Sequence, residues 1–132
     1  MQNLKSLLTG NITCVVSQND QLYTETNSGI IPLLNFIEKG VLKDALVADK
    51  VIGKAAAMLL VYGGITELYA QVISEFALTY LNSHDIPITY ETKVPYIINR
   101  KKDGMCPMEK SVLSIDDEIL AYEHLKEKVN KL

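Results

Sequence analysis

The chain has 132 residues, 48% of which are hydrophobic, and a net charge of −3. This length and composition predict one folded domain over residues 1–132 and exclude an intrinsically disordered chain, which has too little apolar surface to form a core. The acidic net charge makes a nucleic-acid polymer an unexpected partner, because binding to such a polymer requires basic side chains that neutralise its phosphates.

The elements predicted for the first half of the chain are, in order, a short helix over residues 1–8, strands over Ile12–Ser17 and Gln21–Thr26, and a helix over Pro32–Glu38. Asn19-Asp20 lies between the two strands, so the strands are expected to form a hairpin. Gly10 and Gly40 follow the two helices at positions where a left-handed backbone ends a helix.

The elements predicted for the second half are strands over Ala45–Val51, Ile65–Ile73 and Ile86–Val94, and helices over Gly53–Tyr62, Ser74–Asn82, Pro107–Leu113 and from Ser114 onwards. Residues 95–99 either extend the third strand or start another. The closing helix has an apolar stripe made of Ile115, Ile119, Tyr122, Leu125, Val129 and Leu132. Strands that alternate with helices are typical of a parallel sheet with helices on both sides. The predicted fold class is α/β, a three-layer α/β/α sandwich around a mixed sheet.

Three features bear on the compartment. The longest apolar run, Ala55–Tyr62, is far shorter than the roughly 20 residues that a membrane span requires. The first residues do not have the pattern of a secretion signal. Two cysteines do not form a disulfide framework. We therefore expect a cytoplasmic protein that does not interact with membranes.

A ligand site is predicted at the carboxyl ends of the parallel strands, where open α/β sheets bind ligands and where helix N-termini attract anions. The residues expected there are Asp49, Lys50, Gly53, Lys54, Ser74 and Glu75. Gly53 would let a ligand approach the backbone, and Lys54 would add a positive charge. The alternative is that Gly53 only permits close packing and that Lys54 is solvated.

Cys106 is followed by Pro107, which favours the first position of a helix, so Cys106 is predicted to be the N-cap of that helix. A thiol at this position, near several basic side chains, has the environment of a reactive cysteine. Glu109 is at the third helical position and is expected to bond back to the cap, as in a capping box. The candidate catalytic residues are Cys106, Glu109 and Lys54. The alternative for Cys106 is a capping role alone.

Other polar residues add one binding candidate and exclude a metal. Asn99 and Arg100 are expected at a strand end, where the guanidinium would hold a carboxylate or phosphate; a surface role is the alternative. Cys14 lies in an apolar run and is expected in the core. His84 and His124 have no second ligand at zinc spacing. We expect neither a metal nor a cofactor.

The segments “DKVIGKAAAMLLVYGG”, “SEFALTYL” and “INRKKDGMCPMEK” resemble the domain-of-unknown-function 1893 family of small bacterial and archaeal proteins. The resemblance covers most of the chain and implies the cytidine-deaminase-like fold, a mixed sheet between helix layers. Zinc deaminases carry His/Cys-x-Glu and Pro-Cys-x-x-Cys at the starts of two sheet helices, where this chain has “GKAAA” and “ISEFA”. The resemblance therefore implies a pocket at those helix starts, with Cys106 reaching into it, but not the zinc mechanism.

Three functions compete at this stage. The first is a zinc-independent hydrolase or transferase that uses Cys106, with a small anionic or nucleotide-like substrate held by Lys54 and Asp49. The second is a non-catalytic binding or regulatory protein that uses the same pocket for a small phosphorylated metabolite. The third is a structural protein that forms a homodimer through apolar helix faces. The sequence leaves open whether the protein is an enzyme.

Overall fold

The computed structural model describes residues 2–99 and 101–130. The helices are α1 (Gln2–Ser6), α2 (Ile31–Lys39), α3 (Lys54–Gly63), α4 (Glu75–Ser83), α5 (Pro107–Ser111) and α6 (Glu118–Asn130), and the strands are β1 (Cys14–Gln18), β2 (Gln21–Glu25), β3 (Leu46–Ile52), β4 (Glu67–Ser74) and β5 (Ile88–Val94). This is the predicted element order. Arg100 and Leu132, which entered the predictions, lie outside the described residues.

The five strands form one mixed sheet in the order β2-β1-β3-β4-β5. β1 is antiparallel to both β2 and β3, whereas β3, β4 and β5 are parallel. The parallel strands are joined by α3 and α4, because parallel neighbours need a crossover connection. The predicted α/β fold with a mixed sheet is therefore confirmed.

The hairpin and the end of α2 follow from local backbone preferences. Asn19 and Asp20 have positive φ angles of 49° and 66°, the conformation of a two-residue turn that matches the twist of its strands. Gly40 has φ 70° and its N–H donates to carbonyls in the last turn of α2, which ends that helix.

Hydrophobic side chains are buried on both faces of the sheet. On one face, the larger cluster joins strand residues such as Val47 to α2, α3, α4 and α6. On the other, Leu4 and Leu8 pack against Ala48 and Tyr69. Val47 and Ala48 serve opposite faces because side chains alternate along a strand. Within the described ranges, no helix is both long enough and apolar enough to cross a membrane.

The structure differs from the predictions after β5. Residues 95–99 form no strand and contribute only an isolated bridge between Ile98 and Met105. α6 begins at Glu118 rather than at Ser114, because Asp117 Oδ1 accepts the Ile119 N–H at 2.7 Å and so caps the helix. Ile119 is 55% exposed, so the predicted apolar stripe is wrong at that residue.

Candidate functional site

The Glu109 carboxylate is buried where the N-termini of α3 and α4 meet, with the side chain of Glu109 only 1% exposed. Its Oε2 atom accepts the Lys54 N–H at 2.7 Å and the Ser74 hydroxyl at 2.5 Å. Its Oε1 atom accepts the Ile97 N–H at 2.7 Å. Two helix starts and the segment after β5 are thus held by one side chain.

Gly53, the N-cap of α3, makes room for this carboxylate. A Cβ atom at Gly53 would lie 3.0 Å from Glu109 Oε2 and 3.0 Å from Ile97 Cγ1, closer than ordinary van der Waals contact. The backbone φ of Gly53 is −96°, which any residue can adopt. The glycine is therefore needed for space and not for its backbone freedom.

Ser74 and Lys54 complete the cluster. The Ser74 oxygen accepts the Ala77 N–H at 3.1 Å, which confirms the predicted N-cap of α4, while its hydroxyl donates to Glu109. Lys54 is only 6% exposed, and its ammonium donates to the Leu113 carbonyl at 3.0 Å and to Asp116 Oδ1 at 3.2 Å. The predicted capping box of Glu109 with Cys106 is wrong, because the carboxylate faces other elements and the Cys106 N–H donates to the Ile97 carbonyl.

Three further predicted residues, Cys106, Glu75 and Asn99, are not among the hydrogen-bond partners of the Glu109 carboxylate. Cys106 is the N-cap of α5 as predicted, although its thiol makes no capping hydrogen bond. Glu75 is exposed in the first turn of α4. The Asn99 amide donates to Asp103 Oδ1 at 2.8 Å, closing a local turn. Arg100 is outside the described residues. The chain's own Glu109 occupies the place where an external anion was expected.

A pocket of about 170 Å³ lies elsewhere, between the β1–β3 pair and the start of α2. Its walls are mostly apolar, and the residues that line it include Cys14, Asn27, Ser28, Leu33, Asp49 and Lys50. Cys14 and Asp49 are register partners on the antiparallel strands, so their side chains point to the same face. Of the predicted ligand residues, Asp49 and Lys50 line this pocket.

Asp49 is the polar centre of the pocket. Burial raises the pKa of its carboxyl to about 7, against the opposing effects of hydrogen bonds from the Val51 N–H and the Cys14 thiol. Burial also raises the pKa of Cys14, with the Asp49 charge acting in the same direction. The thiol is therefore a neutral hydrogen-bond donor and not a nucleophile. Lys50 directs its ammonium away, to the Gly10 carbonyl at 2.9 Å.

Sequence reasoning missed most of the residues that line this pocket, among them Cys14, Asn27 and Ser28. Cys14 is buried, as expected, but it also faces Asp49. Asn27 and Ser28 lie in the connection before α2 and were given no role. The antiparallel pairing of β1 with β3 was the missing information, because it alone brings Cys14 opposite Asp49.

The mixed sheet, its crossover helices α3 and α4, and the carboxylate buried at their starts define an α/β protein with helices layered on a sheet. The family model described as “TM1506: Domain of unknown function (DUF1893)” matches residues 2–129, and the chain belongs to the DUF1893 family. The crystal structure of a DUF1893 family protein, TM1506 from Thermotoga maritima, is similar, with a TM-score of 0.86 and 27% sequence identity over 96% of this chain and 87% of that chain. No curated protein matches significantly.

Proposed function

We propose that the protein is a non-catalytic binding protein that takes a small molecule in the pocket between β1, β3 and the start of α2. The observation that carries the proposal is the pocket itself, with a partly buried carboxyl group inside mostly apolar walls. Small-molecule sites commonly combine apolar walls with a few polar groups that orient the ligand.

The size of the pocket limits the ligand. A volume of about 170 Å³ is close to the roughly 150 Å³ cavity that accommodates benzene, and below the roughly 300 Å³ at which pockets for drug-sized molecules begin. A ligand with a compact apolar body therefore fits better than the nucleotide-like molecule expected from the sequence.

The polar groups favour a ligand that donates hydrogen bonds. The Asp49 carboxylate is an acceptor when ionised, and the Lys50 ammonium is already bonded to Gly10. An anion in the pocket would meet a carboxylate without a compensating cation. We infer a neutral or cationic ligand with an amide, amine or hydroxyl group, in place of the anion expected earlier.

The geometry gives less support to catalysis in which Glu109 and Lys54 act together with Cys106. The Glu109 oxygens and the Lys54 ammonium are buried and already hydrogen-bonded inside the protein. An acid or base must reach the substrate proton directly or through one water. Zinc deamination is also outside the proposal, since “GKAAA” and “ISEFA” offer no ligand set.

The proposal is tested by titrating the ¹⁵N-labelled protein with a panel of small amines, amides, alcohols and carboxylates at pH 8 and following amide chemical shifts. We expect amines and amides to shift the amides of Gly29, Leu33 and Lys50, which line the pocket. Asp49→Asn should weaken binding by about tenfold, as the loss of one charge-assisted hydrogen bond predicts.

Asp20→Asn is the matched control, because it removes the same charge from the exposed tip of the hairpin. It should leave the affinity unchanged. Titrations in which no compound shifts the pocket amides, or in which Asp49→Asn binds the amines as tightly as the wild type, would contradict the proposal.

A further inference from the structure

β5 is an edge strand. β4 pairs with one of its sides in parallel, and within residues 2–99 and 101–130 no strand pairs with the other side. Residues 89–93 are all exposed. A bare edge presents a row of backbone donors and acceptors, which native proteins pair, cover or protect. This edge is therefore a surface to which another strand can be added.

The hydrogen bonds to β4 determine which residues of β5 face outward. The Leu68 N–H donates to the Pro87 carbonyl at 3.0 Å, so the odd-numbered residues direct their backbone groups to β4, because these groups alternate along a strand. Within β5, the residues that direct their backbone groups outward are Ile88, Tyr90, Thr92 and Val94. Pro95 has no N–H group, but at this odd-numbered position the group would face β4. Its absence therefore removes no hydrogen-bond donor from the open edge.

The sequence of the strand is complementary to itself. When two β5 strands pair antiparallel about a two-fold axis at Thr92, the opposing pairs are Thr92 with Thr92, Tyr90 with Val94, and Glu91 with Lys93. Threonine pairs, aromatic–β-branched pairs and opposite charges are the cross-strand combinations that stabilise sheets. Moving the axis by one residue would instead oppose two copies of Glu91 or two copies of Lys93.

In the monomer, Glu91 remains able to pair with Lys93 of a second copy. Glu91 contacts Lys5 Nζ at 2.8 Å and accepts the Tyr69 hydroxyl at 3.1 Å, yet its side chain is 53% exposed. A carboxylate has about four lone-pair positions, so Glu91 can also accept a lysine from a second copy.

We propose that two copies of the chain associate through antiparallel pairing of their β5 strands, with the two-fold axis at Thr92. The two five-stranded sheets become continuous across this axis. The interface is isologous, with the same residues contributed by each copy. A second copy fits better than an unrelated strand, because the charge pattern complements its own reverse.

Sedimentation velocity over about 5 to 500 µM, the range in which weak dimers dissociate, tests the proposal. The wild type should shift from monomer to dimer. Thr92→Pro removes an outward N–H without removing a bond to β4, a change that edge strands tolerate. This variant should stay monomeric. The matched control Thr92→Ala keeps the N–H and should dimerise within about threefold of the wild-type affinity.

A charge exchange tests the register. Glu91→Lys and Lys93→Glu should each weaken self-association by about tenfold, because like charges then oppose each other. An equimolar mixture should form a heterodimer, in which every opposed pair is again of opposite charge. A wild type that is monomeric throughout the range, a dimeric Thr92→Pro variant, or a mixture that stays monomeric overturns the proposal.

Discussion

Glu109 is stabilised by helix starts and not by an ion pair. Its oxygens accept hydrogen bonds from Lys54 N–H, Ser74 and Ile97, whereas the Lys54 ammonium bonds to Leu113 and Asp116. The N-terminus of a helix carries partial positive charge and free N–H groups, so it compensates a buried carboxylate without a cation. The charge of Glu109 and the dipoles of α3 and α4 stabilise each other.

Gly53→Ala should destabilise the protein by about 1–3 kcal/mol, because the new methyl group overlaps the Glu109 carboxylate and Ile97. Gly104→Ala is the matched control, since its added Cβ meets only Asn99 Nδ2 at 3.9 Å. The control should change stability by less than about 1 kcal/mol. Urea unfolding at pH 7 measures both. Equal effects at the two glycines would refute a space requirement specific to Gly53.

Asp49 makes stability depend on pH. Its folded-state pKa of about 7 exceeds the unfolded value of about 3.9, so the native state binds the proton more tightly between these values. Wild-type stability should therefore fall, relative to Asp49→Asn, as pH rises from about 4 to 7, by up to about 4 kcal/mol, and the difference should be constant above pH 7.

Urea unfolding of the wild type and of Asp49→Asn at pH 4, 5.5, 7 and 8 measures this difference. Asp20→Asn serves as control and should keep the wild-type pH profile. A difference between wild type and Asp49→Asn that does not change with pH would mean that the carboxyl is hydrated as in the unfolded chain.

At the scale of elements, local signals were sufficient for most of the architecture. The turn at Asn19-Asp20, the glycine after α2 and the serine before α4 each have a backbone or capping role that short-range chemistry determines. The strand–helix alternation then implied parallel pairing of β3, β4 and β5. The prediction was wrong for residues 95–99, an apolar run that resembled a strand but forms only an isolated bridge at Ile98.

The candidate sites could be predicted only in part, because their contacts join distant segments. The approach of the Cys106 segment to Gly53 and Lys54 was anticipated. The partners of Glu109 were not, since Lys54 and Ser74 lie 55 and 35 positions away in the sequence and local spacing favoured a capping box. The pocket likewise depends on the antiparallel pairing of β1 with β3, two strands that are not consecutive in the chain.

At the scale of the whole molecule, Glu109 makes three distant segments one cooperative unit. Glu109→Gln tests this, because glutamine offers one acceptor oxygen where three donors converge, and its NH₂ group must face at least one of them. A buried donor left without a partner costs about 1–3 kcal/mol. The free energy required to open each segment that the carboxylate joins should fall by this amount.

Native-state hydrogen exchange measures this loss site by site. In Glu109→Gln, the amides of Lys54 and Ile97 should exchange about 5- to 160-fold faster, as 1–3 kcal/mol implies. Val16 and Tyr23, paired in the hairpin far along the sheet, should keep their wild-type rates. Glu38→Gln, at an exposed position near the end of α2, is the control and should change neither set. If Val16 and Tyr23 accelerate by the same factor as Lys54 and Ile97, the carboxylate stabilises the fold globally and does not hold a separate unit together.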